Sequence, residues 1–175
     1  MGFKISWLGV AGKSKASVLD TVGLKDTEEP EEVPESPFSG AEIPGGWFIL
    51  FSNDFDFVSR ARLAQFSIDC RIVACQVHEG IMFSAAYGYE RGARIWELAH
   101  FAQQGIYDLS VSGSPPPSFE SVRRRLTQKQ QETAGGGVDY IFGIPLEVAA
   151  DICKYSHDRW QFEWGRPQFT RLEAR

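Results

Sequence analysis

The sequence predicts an α+β fold: a mostly antiparallel sheet of about five or six strands, with three or four helices packed on one face. Two observations support this class. Short apolar segments cluster in the middle of the chain, joined by connections short enough for antiparallel neighbours, and segments with helical apolar spacing follow them. The 175 residues are 43% hydrophobic, which is typical of a single folded domain spanning residues 1–175.

The first elements follow from apolar spacing. Residues 3–10 alternate between apolar and polar side chains, as a half-buried strand does. A short helix is predicted next, with Ser14 as its N-cap and Gly23 just past its end.

The middle of the chain supplies the rest of the predicted sheet. Strands are predicted at residues 47–51 and 71–77, with a helix over 57–66 between them. Segments 81–89 and 93–101 form a hairpin around the polar turn at 90–92, and a strand at 107–111 ends the sheet.

Two helices are predicted after the sheet. The prolines at 115–117 end the ladder because they lack backbone donors, and a surface helix starts after Ser118. A final helix starts near Pro145 and runs to about Tyr155. The predicted core consists of Trp7, Trp47, Phe48, Leu50, Val73, Val77, Trp96, Leu98, Ile141, Phe142, Leu146 and Ile152.

The acidic residues are concentrated in one segment. Residues 26–42 contain seven Asp and Glu residues and no Lys or Arg, although the whole chain has a net charge of only −5. The same region carries four prolines and ends in Gly45 and Gly46, so a long exposed loop is predicted at about 26–46. The aromatic-rich tail after His157 either packs back or frays at about 165–175.

The acidic segment is either a solvated connector or a surface that binds a basic protein. The leading hypothesis is a non-catalytic protein-binding module in which neighbouring aromatic side chains assist the acids, since charge complementarity speeds association. A nucleic-acid partner is not expected, because this segment would repel phosphate. The candidate binding residues are Glu28, Glu29, Glu31, Glu32 and Glu35.

An alternative hypothesis is a small metal-dependent or His/carboxylate enzyme built on His78, Glu79 and His100. Counting across the predicted hairpin places His100 opposite Met82, close to His78. Neither the HxH nor the HExxH spacing of metal ligands occurs, and a histidine on a strand is more often structural. No cofactor or metal is therefore expected.

Other motifs indicate a soluble, cytoplasmic protein without a membrane partner. Cys70, Cys75 and Cys153 form no CxxC pair, so reduced and buried thiols are expected. Residues 9–14 resemble a phosphate-binding loop, but Trp7 occupies the place of its first glycine. No apolar stretch approaches the length that a bilayer requires. The sequence does not fix the oligomeric state.

Three segments together resemble a family of small bacterial proteins with no established activity: MGFKISW with GKSK (residues 1–7 and 12–15), PESPFSGAEIPGGW (34–47) and VDYIFGIP (138–145). The likeness spans most of the chain. It implies a bacterial cytoplasmic α+β domain and no catalytic residues. In size and acidity the chain is also similar to immunity proteins, which neutralise a toxin by stoichiometric binding.

Overall fold

A single antiparallel sheet of nine strands organises residues 2–175, the part of the chain that the computed structural model describes. Its spatial order is β2-β9-β3-β4-β1-β5-β6-β7-β8. The strands are β1 Lys4–Ala11, β2 Leu24–Glu31, β3 Phe38–Ile43, β4 Trp47–Ser52, β5 Arg71–His78, β6 Phe83–Glu90, β7 Ala93–Phe101, β8 Ser110–Gly113 and β9 Phe169–Ala174.

Helices cover both faces of this sheet. Those of residues 2–175 are α1 Lys15–Val22, α2 Arg60–Phe66, α3 Phe119–Glu132 and α4 Gly143–Cys153. Helices α3 and α4 contribute to one buried cluster, and α1 and α2 contribute to a second. The predicted fold, with five or six strands and helices on one face, is therefore wrong in both strand number and layering.

The central strands explain the two layers, because they are apolar on both sides. In β1, Trp7 belongs to the cluster beneath α3 and α4, while Leu8 belongs to the cluster beneath α1 and α2. Ile49 and Leu50 divide in the same way in β4. A strand that is buried on both faces needs a cover on each side. We call these the α3/α4 face and the α1/α2 face.

Local signals located several elements correctly. Ser14 caps α1 by accepting a hydrogen bond from Ser17 N, and Gly23 ends the helix in the left-handed conformation. The β6–β7 hairpin turns at Arg91 and Gly92, both with positive φ, as a two-residue turn of this kind requires. The predicted core residues are buried except for Phe142 and Ile152, which are half-buried.

The predicted long exposed loop is wrong, and of the two alternatives for the tail the structure shows packing back and not fraying. Strands β2 and β3 occupy most of residues 26–46, and only residues 32–37 connect them. The tail returns as β9, which inserts between β2 and β3. Proline and acids are compatible with β2 because it is an edge strand with one unpaired side.

No helix within residues 2–175 has the length and apolar character needed to cross a membrane.

Candidate functional site

The acids of the predicted binding surface lie in two different settings. Glu28 and Glu29 belong to the edge strand β2, and Arg171 of β9 places its Nη1 3.4 Å from Glu29 Oε2. Charged side chains and proline on an edge strand discourage pairing with another chain. The position of β2 in the sheet therefore accounts for part of the acidic run without any partner.

Glu31 is engaged within the protein. Its Oε1 accepts hydrogen bonds from the backbone and the hydroxyl of Ser36, and its Oε2 accepts one from the Ser39 hydroxyl. These contacts close the connection between β2 and β3. Glu32 and Glu35 lie in that connection, are exposed, and form no ion pair with any residue in the range 2–175. They are the acids of this connection that remain available to a partner.

A cavity of about 390 Å³ lies beside this connection. It falls within the range of about 300–1,000 Å³ that is typical of small-molecule sites. Its walls come from the β2–β3 connection, the end of β4, the start of the chain and the segment that leads into β9. The lining residues with rings or apolar side chains are Phe3, Pro30, Val33, Pro34, Phe51, Tyr155, His157, Trp160, Pro167 and Phe169.

Three large apolar side chains of the lining also reach solvent, and one of them, Phe3, is 41% exposed. Val33 is 51% exposed and Trp160 is 54% exposed. Val33 stands next to Glu32 in the β2–β3 connection, while Trp160 comes from the segment after α4. The structure thus brings an exposed aromatic side chain to the same cavity that the acidic connection lines.

Arg166 is held in place on Trp160. Its guanidinium carbon lies 4.9 Å from the centre of the indole ring, and its Nε donates a hydrogen bond of 2.9 Å to Gln161 Oε1. Arg159 also lines the cavity. Neither arginine forms an ion pair with another residue of the described chain, so both retain free donors.

His157 forms part of the cavity wall, and both of its ring nitrogens are buried without a hydrogen-bond partner in residues 2–175. Phe3 packs edge-on against the imidazole with a centroid distance of 4.8 Å. Burial lowers the pKa of His157, since an imidazolium here would lose its hydration. This histidine therefore acts as an apolar wall and not as an exposed base.

The predicted His78, Glu79 and His100 site is not assembled. His78 shares the α1/α2 face with Ala74, whereas His100 lies beyond Leu98 on the α3/α4 face. Glu79 instead accepts a hydrogen bond of 2.9 Å from Phe3 N.

The register of the hairpin also differs from the prediction. His100 lies opposite Ser84, not Met82, because the turn is one residue shorter than predicted and Ile95 is a bulged residue. The sheet itself separates the imidazoles of His78 and His100.

His100 has a structural environment. It is fully buried, its Nδ1 lies 2.6 Å from Asp108 O, and its Nε2 lies 2.8 Å from Asp139 Oδ2. Both nitrogens are thus occupied by the protein. Among residues 2–175, no group of three or more His, Cys, Asp or Glu side chains is placed to hold a metal ion.

The cysteines and the glycine-rich turn are also structural. Cys70, Cys75 and Cys153 are free and buried, and burial raises the pKa of each thiol, which disfavours a thiolate nucleophile. Lys13, in the segment that resembles a phosphate loop, donates to Thr21 Oγ1 at 3.0 Å and pairs with Asp69.

Sequence reasoning missed the cavity because its walls are distant along the chain. The aromatic content of residues 160–164 was a visible signal, but nothing local showed that this segment would meet the β2–β3 connection. Arg159 and Arg166 belong to no sequence motif, and only their position beside Trp160 in the structure indicates a role for them.

Comparisons of this chain with protein-family models, with curated proteins and with solved structures give no match. The resemblance to small bacterial proteins and to immunity proteins therefore stays a prediction.

Proposed function

We propose that this protein is a non-catalytic protein-binding module of the inhibitor or immunity type, which binds a basic partner protein. The proposed contact surface comprises Glu32, Val33, Glu35 and Trp160. We also propose that it acts in the cytoplasm, a location that the three free, buried cysteines favour.

One observation carries the proposal: Glu32 and Glu35, which make no ion pair within residues 2–175, lie in the same connection as the exposed Val33 and close to the exposed Trp160. Glu32 and Val33 are neighbours in the connection, and both line the cavity with Trp160. Protein interfaces commonly place a large aromatic side chain at the centre and charged groups at the rim. This surface offers both features within a short span.

Electrostatics supports a basic partner. Glu32 and Glu35 form no ion pair with a cation of the described protein, and Glu28 adds a third exposed acid on β2. Such a field accelerates the approach of a positively charged surface and weakens as salt is added.

The test compares two charge reversals of equal size. One variant carries Glu32→Lys and Glu35→Lys. The control carries Glu90→Lys and Glu132→Lys, which are exposed acids at other places in the sheet and in α3. Tagged wild type and both variants are used to capture proteins from the native lysate at low and high salt, and any captured protein is then purified and its association rate measured.

We expect a 1:1 complex whose association slows at least about tenfold in the Glu32/Glu35 variant and less than about twofold in the control. Thermal midpoints should remain close to that of the wild type, because exposed acids without partners contribute little to stability. A partner that binds both variants equally well, or the absence of any stoichiometric partner, would overturn the proposal.

A further inference from the structure

The cavity beside β2 has features that a protein-binding surface does not require. Phe51, Tyr155 and Phe169 are buried and form its inner wall. An apolar wall with a few polar groups at the entrance is the usual form of a small-molecule site. The polar group that such a molecule would carry depends on the charged side chains around the cavity.

The charged groups that line the cavity balance, but their free hydrogen-bond donors favour an acceptor group on the ligand. The lining contains two guanidinium groups, Arg159 and Arg166, and two carboxylates, Glu31 and Glu32. The serine hydrogen bonds already occupy both oxygens of Glu31. Two guanidinium groups with free hydrogen-bond donors therefore face one carboxylate, that of Glu32, whose oxygens are free to accept.

Arg166 is oriented before any ligand arrives. Its guanidinium lies over the Trp160 ring and its Nε donates to Gln161, so the two terminal nitrogens are left for a ligand. A planar guanidinium placed in this way matches the two oxygens of a carboxylate. Preorganisation reduces the entropy that binding would otherwise lose.

We infer that this cavity binds a small amphipathic molecule with an apolar or aromatic body and one carboxylate group, with Arg166 as the main contact for the carboxylate. The body lies against Phe51, Tyr155 and Phe169. The inference shares Trp160 with the proposed protein-binding surface, but it rests on the inner wall and the arginines, not on Glu35 or the net acidity of the segment.

Three probes of one size test the inference directly: 4-phenylbutyrate, 4-phenylbutan-1-ol and 4-phenylbutylamine. Binding is measured by calorimetry and by the shift of the Trp160 indole NMR signal, which is assigned with a Trp160→Phe variant. We expect saturable binding of the carboxylate, with an affinity about tenfold higher than that of the alcohol. The amine should bind most weakly.

Arg166→Gln should reduce the affinity for 4-phenylbutyrate about tenfold while changing that for the alcohol less than about twofold. The matched control is Arg124→Gln, an exposed arginine of α3 that does not line the cavity. Arg166→Lys, which keeps the charge but not the two-pronged geometry, should fall between wild type and Arg166→Gln.

Several results would overturn the inference: no saturable binding of any probe, equal or stronger binding of the alcohol or amine, or an equal loss in the Arg124 and Arg166 variants. The probe comparison uses the unmodified protein, so it stands even if a variant is unstable. Because the Glu32/Glu35 experiment does not use these probes, the two proposals can fail separately.

Discussion

His100 and Asp139 are 39 residues apart in the sequence, yet a hydrogen bond of 2.8 Å joins Nε2 of the buried imidazole to Asp139 Oδ2. His100 Nδ1 must donate to the carbonyl of Asp108, since a carbonyl only accepts. One further proton then lies between Nε2 and Asp139. The second oxygen of Asp139 accepts from Phe142 N at the start of α4. This pair ties β7 to the α3–α4 connection.

Removal of the carboxylate should therefore be costly. We expect Asp139→Ala to lower the free energy of unfolding by about 3–5 kcal/mol, because it leaves a buried imidazole unpaired and a helix N–H uncapped. Asp139→Asn should lose less, since its amide can still accept from Phe142 N and bond to the ring. Urea unfolding measures the free energy of unfolding of both variants. Equal, small losses would show that Asp139 does not hold β7 to the α3–α4 connection.

The free energy of unfolding should depend on pH because of His157. Burial lowers its folded-state pKa, so the unfolded chain binds the proton more tightly. The contribution of neutral His157 to the free energy of unfolding is fully present above the pKa of about 6.5 that histidine has in the unfolded chain. It is lost as the pH falls from there through the folded-state pKa. The loss is at most about 1.4 kcal/mol per pH unit.

His157→Phe should remove this part of the slope, because phenylalanine keeps the ring against Phe3 and does not titrate. The measurement is urea unfolding of wild type and variant at several pH values from 5 to 8. At pH 8 the variant should be at least as stable as wild type, since no orphaned nitrogen remains. Parallel pH profiles for the two proteins would contradict the assignment.

The sequence predicts a helix or strand correctly where its signals lie close together along the chain. The strand signal of β1 and the caps of α1 lie within a few residues, and the structure confirms both elements, although β1 is buried on both faces and not half-buried as its alternation predicts. The pairing of β9 with β2 joins Leu24 to Ala174, and no nearby residue specifies such a contact.

β2 and β3 were missed for different reasons. β2 carries acids and Pro30 because its outer edge is unpaired. β3 contains Gly40, a weak strand residue, but a Cβ there would come within 2.6 Å of Phe48 Cζ, so the ring needs that space. The candidate site could be predicted only in part for the same reason. The acidic residues are evident in the sequence, but only the fold brings Trp160 and Arg166 close to them.

The end of α4 offers a stabilising substitution. Lys154 follows the helix with a φ of 59°, a left-handed conformation that favours glycine. We expect Lys154→Gly to raise the free energy of unfolding by about 0.5–1 kcal/mol, after allowance for the greater entropy of glycine in the unfolded chain. Lys154→Ala keeps the strain and should give no gain. Thermal unfolding distinguishes the two, and equal midpoints would contradict the explanation.

The contact between Gly88 and Trp96 offers a test of packing on the α3/α4 face. The two residues are directly opposite in the β6–β7 ladder, and a Cβ on Gly88 would lie 2.1 Å from Trp96 Nε1. Trp96 is only 4% exposed, so its ring has little freedom to move away. Gly88→Ala should therefore lower the free energy of unfolding by about 1–3 kcal/mol.

A double-mutant cycle separates this clash from a general effect of alanine in a strand. Trp96→Phe alone creates a void and should also destabilise the protein, but phenylalanine lacks the pyrrole atoms that meet the added methyl group. In the Trp96→Phe background, Gly88→Ala should cost little or become favourable, because its methyl group fills part of that void. Losses that simply add would show that Gly88 is required for backbone conformation and not to make room for the indole.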